Sequence, residues 1–547
     1  MKNSRWNKIL RLINTVKYLR FIQIFNRIYR KVAVVTIKFD SEYKVNEKFY
    51  TICHHNTTAK VVSDDLDFNF LNRTSKIESW NDAKFEKLWL YNLHYFDYLN
   101  SNDCKNNTLK YKNIVESWID KNPPCVGNGW EPYPTSLRIV NWIKFISSSK
   151  HLDRRNLDSL YIQAKVLRQT LEYHLLGNHL FSNAKALIFA GSFFSSPESN
   201  EWLRKGLKIL DIEIHEQILK DGGNFELSPM YHNIMLADML DLYNLAKSEV
   251  NSQLTAKIES WKVLIEGMIT WSVRMSHPDG DVSFFNDSTT GIAPSLDWLL
   301  DYSNKLGIKL SPIENSGSMS HTYLKDSGYL VVVDKNIKAI LDVGKIGPDY
   351  IPGHAHADTL SFEISLFGER VFVNSGISEY GLSKERLRQR KTSAHNTVEV
   401  DLEDSSEVWG GFRVARRAYP SKVKINNTNN ILSVNCSHDG YKRLSGKVTH
   451  LRKWSFSRNE VCVSDQIIGG FNSAISVLHL HPTVKIEVVS KNEMSLQLSS
   501  GNTVLIRFSS PFYVEDSTWH PEFGLSIPNK RIVIDVSNGY SDYTIGF

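Results

Sequence analysis

Hydrophobic spacing changes character once along this chain of 547 residues, and that change limits the possible folds more than any other feature. From about residue 85 to 300 apolar residues recur at helical intervals. Leu203, Leu207, Leu210, Ile214 and Ile218 form one series, and Leu254, Ile258, Trp261, Leu264, Met268, Trp271 and Met275 form another. Steps of three and four put such residues on one helix face. Short polar breaks such as Gly177-Asn178 and Asp221-Gly222-Gly223 separate the helices, and no fixed-period repeat is present. Many helices with short connections predict a bundle, ring or solenoid of helix pairs. A polar stretch near 305–325, with Ser311 to Ser320 in it, ends this region.

Beyond that break the period is two. Leu360, Phe362, Ile364 and Leu366 alternate with Ser361, Glu363 and Ser365, and a Gly368-Glu369 turn leads to Val371-Phe372-Val373. That pattern predicts a hairpin. Further short runs, Thr397 to Val400, Val461 to Val463, Val484 to Val488, Val504 to Ile506 and Ile532 to Ile534, continue to the end. Many short strands with turns between them predict an antiparallel sandwich. The expected organisation is an α+β multidomain chain: a lead-in over 1–80, a helical domain over 81–310 and a β-sandwich over 311–547. The groove between two such domains is a favoured place for a ligand.

The first 31 residues are basic, and Leu10, Ile13, Val16, Leu19, Ile22 and Phe25 recur about every three residues. An amphipathic helix is expected, docked on the protein's own core or in peripheral contact with an anionic membrane. The segment lacks the features of a signal peptide, and no apolar run of about 18 residues or more exists to span a bilayer. The expected location is therefore the cytoplasm or the inner face of the membrane, with the cell envelope as the alternative. Five scattered cysteines without a Cys-x-x-Cys give neither a disulfide framework nor a cysteine metal site. A net charge of +6 permits an acidic ligand without demanding nucleic acid. No glycine-rich phosphate loop suggests a nucleotide cofactor.

Chemistry-bearing residues gather in a few segments. Gly353-His354-Ala355-His356-Ala357-Asp358 places two imidazoles two residues apart. In an extended backbone both face one side, so both are expected to enter one cavity as metal ligands or proton carriers. His395 in Ala394-His395-Asn396-Thr397 also precedes a strand, and three histidines at strand entrances suit a zinc ion. In the helical region stand Gly177-Asn178-His179-Leu180 with Asn183, then Asp221-Gly222-Gly223 with Glu226, Pro229, Tyr231 and His232. Asn178 and His179 are expected just past a helix end, open to the cleft. Pro229 is expected to start a helix, with Tyr231 in its first turn. Asp279, Asp281 and Asp287 are candidates to line the same cleft, and Arg413, Arg416 and Arg417 to neutralise a carboxylate-bearing polymer.

Together, Gly-Asn-His-Leu, Glu226-x-Ser-Pro-x-Tyr231, Gly-His-Ala-His-Ala-Asp and Ala-His-Asn-Thr, in this order over roughly residues 80 to 500, resemble the heparinase II/III-like polysaccharide lyases. The basic start, with Val16-Lys17-Tyr18-Leu19-Arg20, resembles the branch linked to bacterial capsule and exopolysaccharide synthesis. The resemblance implies an N-terminal (α/α) toroid, a C-terminal antiparallel β-sandwich, and β-elimination on a uronic-acid polysaccharide. It implies that Asn178 and His179 neutralise the uronate carboxylate and that Tyr231 is the catalytic tyrosine, acting as base and then acid. It implies that His354 is a second base, on the opposite sugar face. Asn183, Glu226 and His232 join Arg413 and Arg416 as expected substrate contacts. Metal-bearing members hold zinc at positions matching His356, Asn374 and His395. Asn374 stands where a carboxylate is expected, and a neutral amide supplies no charge to offset the cation, so the expectation is that zinc is weak or absent, or that Asp358 replaces that ligand. The rival readings are a metallohydrolase built on His-x-His-x-Asp and a glycan-binding or assembly protein without turnover.

Overall fold

Helices occupy the first half of the chain and antiparallel strands the second. The computed structural model describes residues 2–37, 42–56, 63, 67–149, 153–309 and 319–547. The Ser311–Ser318 part of the expected polar break lies outside them. The main helices of the first half are Lys87–Tyr95, Thr108–Lys121, Pro132–Ser149, Arg154–Gln169, Gly177–Phe193, Pro197–Gln217, Pro229–Lys247, Ile258–Met275 and Leu296–Lys305. Their starts follow local chemistry. Pro197 and Pro229 open two of them, where a missing N–H costs nothing. Ser196 and Ser228 cap the same two by accepting the Ser199 and Tyr231 N–H groups. Leu203, Leu207, Leu210 and Ile214 are buried on one face of Pro197–Gln217. One apolar core, with Trp118, Trp142, Leu187, Leu236 and Ile265, runs through the helical half.

Three expectations shift locally. Leu254 sits on a separate short turn, Ser252–Thr255, and the helix proper begins at Ile258. The N-terminal helix is two helices, Lys2–Val16 and Phe21–Val32, broken at 17–20. Gly177 does not end a helix but begins one. Leu176 and Gly177 both take positive φ, 66° and 56°, to turn the chain into Gly177–Phe193. A side chain at Gly177 would meet Ile351 Cδ1 at 2.7 Å and Glu226 Oε1 at 3.4 Å. Asn178 and His179 therefore lie in a first helical turn.

Most strands fall in sheets of five, eight and four, and the rest form two-stranded pairs. The five-stranded sheet runs in chain order, Ser320–Leu324, Tyr329–Asp334, Ile337–Asp342, Phe362–Leu366 and Glu369–Phe372, every pair antiparallel. The last two make the hairpin expected around Gly368. Alternation sorts its two faces. Leu341, Phe362 and Ile364 share a core with Trp454, Val463, Ile506 and Ile545 of the eight-stranded sheet. The other face packs on the helical half, where Val331 and Ile340 meet Leu227, Trp271, Met275 and Phe285. Glu363 and Ser365, polar in the sequence, are buried there against His277 at 2.8 and 2.7 Å. The loop between Asp342 and Phe362 crosses this interface and carries His354 and His356.

Candidate active site

Two loops from the helical half interlock with the histidine loop. Asp287 N–H donates to His354 O at 2.9 Å, His356 N–H donates to Asn286 Oδ1 at 2.9 Å, and Asn286 N–H donates to Asp358 Oδ2 at 3.1 Å. The loop bends at Gly353-His354 instead of running extended. The two histidines consequently engage different partners, and the expectation of one shared cavity is corrected.

His354 faces the open cleft and keeps 14% of its side chain exposed. Its Nδ1 lies 2.5 Å from Glu226 Oε2. A carboxylate only accepts, so Nδ1 carries a proton towards Glu226, and Nε2 is the nitrogen left for the cleft. Tyr231 stacks on the His354 ring, centroids 3.8 Å apart and 17° from parallel. Ser228 Oγ anchors the first turn that presents it, accepting Tyr231 N–H at 3.2 Å. Its phenol oxygen is 3.0 Å from Tyr380 Oη. Burial, with the adjacent Tyr380 phenol, pushes the Tyr231 phenol well above its ordinary range, so it is protonated at neutral pH. Among the described residues no lysine or arginine is bonded to it. The Arg386 guanidinium lies one ring further away, 4.9 Å from the Tyr380 centroid and 5.3 Å from that of Phe412.

His179 forms the other wall. Its Nδ1 is 3.2 Å from Glu172 Oε1, and its ring lies 4.4 Å from Tyr133. Burial disfavours its cation, but Glu172, with Glu226 and Glu131 beyond it, outweighs burial and raises its pKa. Asn178 is half-buried beside it.

His356 lies behind this front layer. Its Nε2 is 2.7 Å from Asp287 Oδ1 and its Nδ1 is 3.2 Å from His395 Nε2. Arg386 grips Asp287 with two nitrogens, at 2.5 and 2.7 Å. Burial would raise the Asp287 pKa, but Arg386 and His356 hold it well below the carboxylate range. Burial lowers His356 to about 4 and His395 well below its usual value, so both are neutral. An ionised Asp287 then fixes the tautomers: His395 Nε2–H donates to His356 Nδ1, and His356 Nε2–H donates to Asp287.

The zinc expectation does not fit these residues. Asn396 N–H donates to Asn374 Oδ1 at 3.2 Å, and Asn374 Nδ2 has no partner among the described residues, so a neutral amide stands where a charged ligand is expected. Both His356 nitrogens are engaged. Asp358 is tied to Asn286, and burial raises its pKa to about 6, towards a neutral acid. Among the described residues no three His, Cys, Asp or Glu side chains converge to hold a metal.

Several expected substrate contacts have other jobs. Asn183 is fully buried; it accepts Glu172 N–H at 2.8 Å and donates to Ser136 Oγ and Glu172 Oε2. It sets the carboxylate that raises the His179 pKa. His232 is buried too, bonded through Nε2 to Met268 O at 2.9 Å beside the Trp271 ring. Glu226, 3% exposed, lies beneath His354. Arg416 pairs with Glu407 through two nitrogens, at 2.5 and 2.7 Å, and Arg417 pairs with Asp349 at 2.8 Å. Only Arg413 of the three is exposed without an ion pair among the described residues, with its guanidinium over Trp409. Asp279 is spent on Arg370. The sequence reading passed over Tyr380, Arg386 and Glu172. Arg386 and Tyr380 lie in a stretch without an apolar period or a motif. Glu172 had one signal, its place seven residues before His179.

A helical half, a sandwich half and a polar cleft at their junction define a two-domain protein of the (α/α) toroid and β-sandwich architecture. Residues 12–301 match the heparinase II/III N-terminus and residues 318–545 the heparinase II/III-like C-terminal model, and the chain belongs to the heparinase II/III-like family. A heparin-sulfate lyase of Pedobacter heparinus is 27% identical over 358 residues, 58% of this chain and 53% of that protein. One of Bacteroides stercoris is 27% identical over 296 residues, 49% of this chain and 43% of that protein. The chain thus spans about half the length of these curated relatives. The crystal structure of heparinase III has the same fold, with a TM-score of 0.65 at 17% identity over 96% of this chain and 88% of that one.

Proposed function

We propose that this protein is a polysaccharide lyase that cleaves a uronic-acid-containing polysaccharide by β-elimination. The observation that carries the reading is the Glu226–His354–Tyr231 arrangement: a histidine held by Nδ1 with Nε2 free, stacked on a protonated tyrosine. Asn178 and His179, whose protonated form Glu172 favours, neutralise the uronate carboxylate, which makes the neighbouring C5–H acidic. His354 Nε2 takes the C5 proton, the electrons form the C4=C5 double bond, and the C4–O bond breaks. Tyr231 Oη–H gives its proton to the departing oxygen. Tyr231 is the acid from the outset in this scheme, since burial and the Tyr380 phenol hold it protonated.

The names of the curated relatives support an acidic polysaccharide as substrate. The charge around His179 narrows it. Glu131, Glu172 and Glu226 all act on that histidine, while Arg386, Arg416 and Arg417 are each neutralised by a carboxylate. Such a cleft suits a polymer with one carboxylate per uronate better than a densely sulfated chain. We place that polymer among bacterial capsules and exopolysaccharides.

The test is ultraviolet absorbance of the unsaturated uronate during incubation with a panel of sulfated and unsulfated uronic-acid polysaccharides. The expected result is product from an unsulfated polymer, lost by a factor of about 10² to 10⁴ in Tyr231→Phe and in His354→Ala. Saturable binding of a polymer without product would overturn the lyase reading in favour of glycan binding.

A further inference from the structure

The helix pair at the N-terminus is built inside out. In Phe21–Val32 the buried residue is Gln23, 2% exposed, while Phe21, Phe25 and Ile28 are 81%, 54% and 64% exposed. Ile24, Tyr29 and Val32 continue that stripe at steps of three and four, and Phe21, Phe25 and Tyr29 stack along it. In Lys2–Val16, Trp6, Ile9, Ile13 and Val16 form a second exposed stripe. The reading in which this segment docks its apolar face on the protein's own core is thereby corrected. Exposed apolar area this large and continuous marks an interaction surface.

Polar and cationic contacts hold the pair to the body instead. Arg20 pairs with Glu216 and stacks on Tyr350 at 3.6 Å, and Gln23 Nε2 donates to Tyr350 O at 3.3 Å. Trp409 Nε1 donates to Thr15 Oγ1 at 3.1 Å, and Arg417 lies 3.7 Å over the Tyr18 ring. These contacts reach both halves of the protein at the rim of the cleft. Tyr350 is four residues before His354, and Trp409 three before Phe412, which borders the His354 ring at 6.5 Å.

Charge selects the partner. Residues 1–37 contain nine lysines and arginines and no aspartate or glutamate, although the whole chain is only +6, so the remainder is net acidic. Lys8, Arg27 and Lys31 are exposed and form no ion pair with described residues. A second copy of this face would bring like charges together. An apolar stripe flanked by lysine and arginine matches the boundary between anionic headgroups and acyl chains.

We propose that the helix pair 2–32 is an interfacial anchor for bilayers containing anionic phospholipid, and that it holds the mouth of the cleft against the membrane surface. Among the described residues no helix is long and apolar enough to cross a bilayer, so the anchor lies in the surface plane. The polymer acted on is then one met at the membrane.

The experiment is co-sedimentation of the full chain with vesicles of phosphatidylcholine alone or with about 30% phosphatidylglycerol, together with analytical ultracentrifugation without lipid. Binding is expected on the anionic vesicles, at least about tenfold stronger than on phosphatidylcholine and weakened by salt. Phe21→Asp with Phe25→Asp and Ile28→Asp should abolish it. Lys8→Glu with Arg27→Glu and Lys31→Glu should weaken it about tenfold. Both sets are exposed, so melting temperature and activity on soluble oligosaccharide should not change. Failure of the wild type to bind anionic vesicles would overturn the proposal. So would lipid-free, concentration-dependent dimerisation that the Phe21→Asp set abolishes, since a second copy would then cover the face. Vesicle binding is read without turnover, so its outcome is separate from that of the lyase assay.

Discussion

The molecule contains the same four-residue chain twice. At the cleft, His395 meets His356, His356 meets Asp287, and Arg386 grips Asp287. Inside the sandwich, His438 Nε2 lies 3.3 Å from His450 Nδ1, His450 Nε2 lies 2.8 Å from Asp465, and Arg452 grips Asp465 at 2.7 and 2.8 Å. Their ends differ. The sandwich chain closes, because Gly440 N–H donates to His438 Nδ1 at 3.1 Å. The cleft chain stops at His395 Nδ1, which has no partner among the described residues. Their origins differ too. His438 and His450 are register partners on neighbouring strands, as are Arg452 and Asp465. The cleft chain joins four separate segments, and its arginine packs against Tyr380 and Phe412. Ladder hydrogen bonds fix one network. The other exists only when the two halves are docked, and it ends next to the residues proposed to react.

Breaking the carboxylates should expose that contrast most strongly. Asp465→Asn and Asp287→Asn each leave a buried guanidinium without its counter-ion, and each should cost about 3–5 kcal/mol of stability in denaturant unfolding. Only Asp287→Asn should also slow the folded fraction, by about tenfold in kcat, because Arg386 is then free to leave its place against Tyr380.

Acid should act next. Burial lowers His356 to about 4, so the unfolded chain, near 6.5, takes up the proton more readily. The stability that depends on this is complete above pH 6.5 and is lost as pH falls towards 4, roughly 3 kcal/mol in all. His450 is lowered in the same direction and steepens the slope. The depressed Asp287 and Asp465 lose theirs only below the ordinary carboxylate range. Melting temperature measured against pH should fall in those two windows, and His356→Gln should flatten the first.

The smallest effect tests the link between the cleft chain and Tyr231. Tyr380→Phe removes one 3.0 Å hydrogen bond. It should lower kcat by about fivefold, near 1 kcal/mol, with KM unchanged and the melting temperature lowered only slightly.

Local rules account for what was legible beforehand. Pro229 with Ser228, the period-three-to-four stripe of Pro197–Gln217 and the alternation of Leu360 to Leu366 each depend on near neighbours, so their elements could be read directly. The identity of the helix beginning at Gly177 depends on a close approach to Ile351 and Glu226, far away in the chain. Asn183 and His232 belonged to motifs near the site, but helix phase turned both inward. Arg416 and Arg417 read as free cations because Glu407 and Asp349, their partners, are 9 and 68 residues distant. Charge types can be read from a sequence, whereas their pairing is a property of the packed chain.

Glu363 carries a last consequence. This carboxylate, without solvent exposure, accepts His277 Nε2–H at 2.8 Å and Phe284 N–H at 3.0 Å from the helical half, and Asn374 N–H at 2.7 Å from the sandwich half. Neither half alone satisfies it. A sandwich cut free near residue 310 would keep a carboxylate stripped of two donors on an uncovered apolar sheet face, and the helical piece would keep two idle donors. The seam that looks like a domain boundary along the chain is thus a line of shared cooperativity, and the two halves should melt together in a single transition.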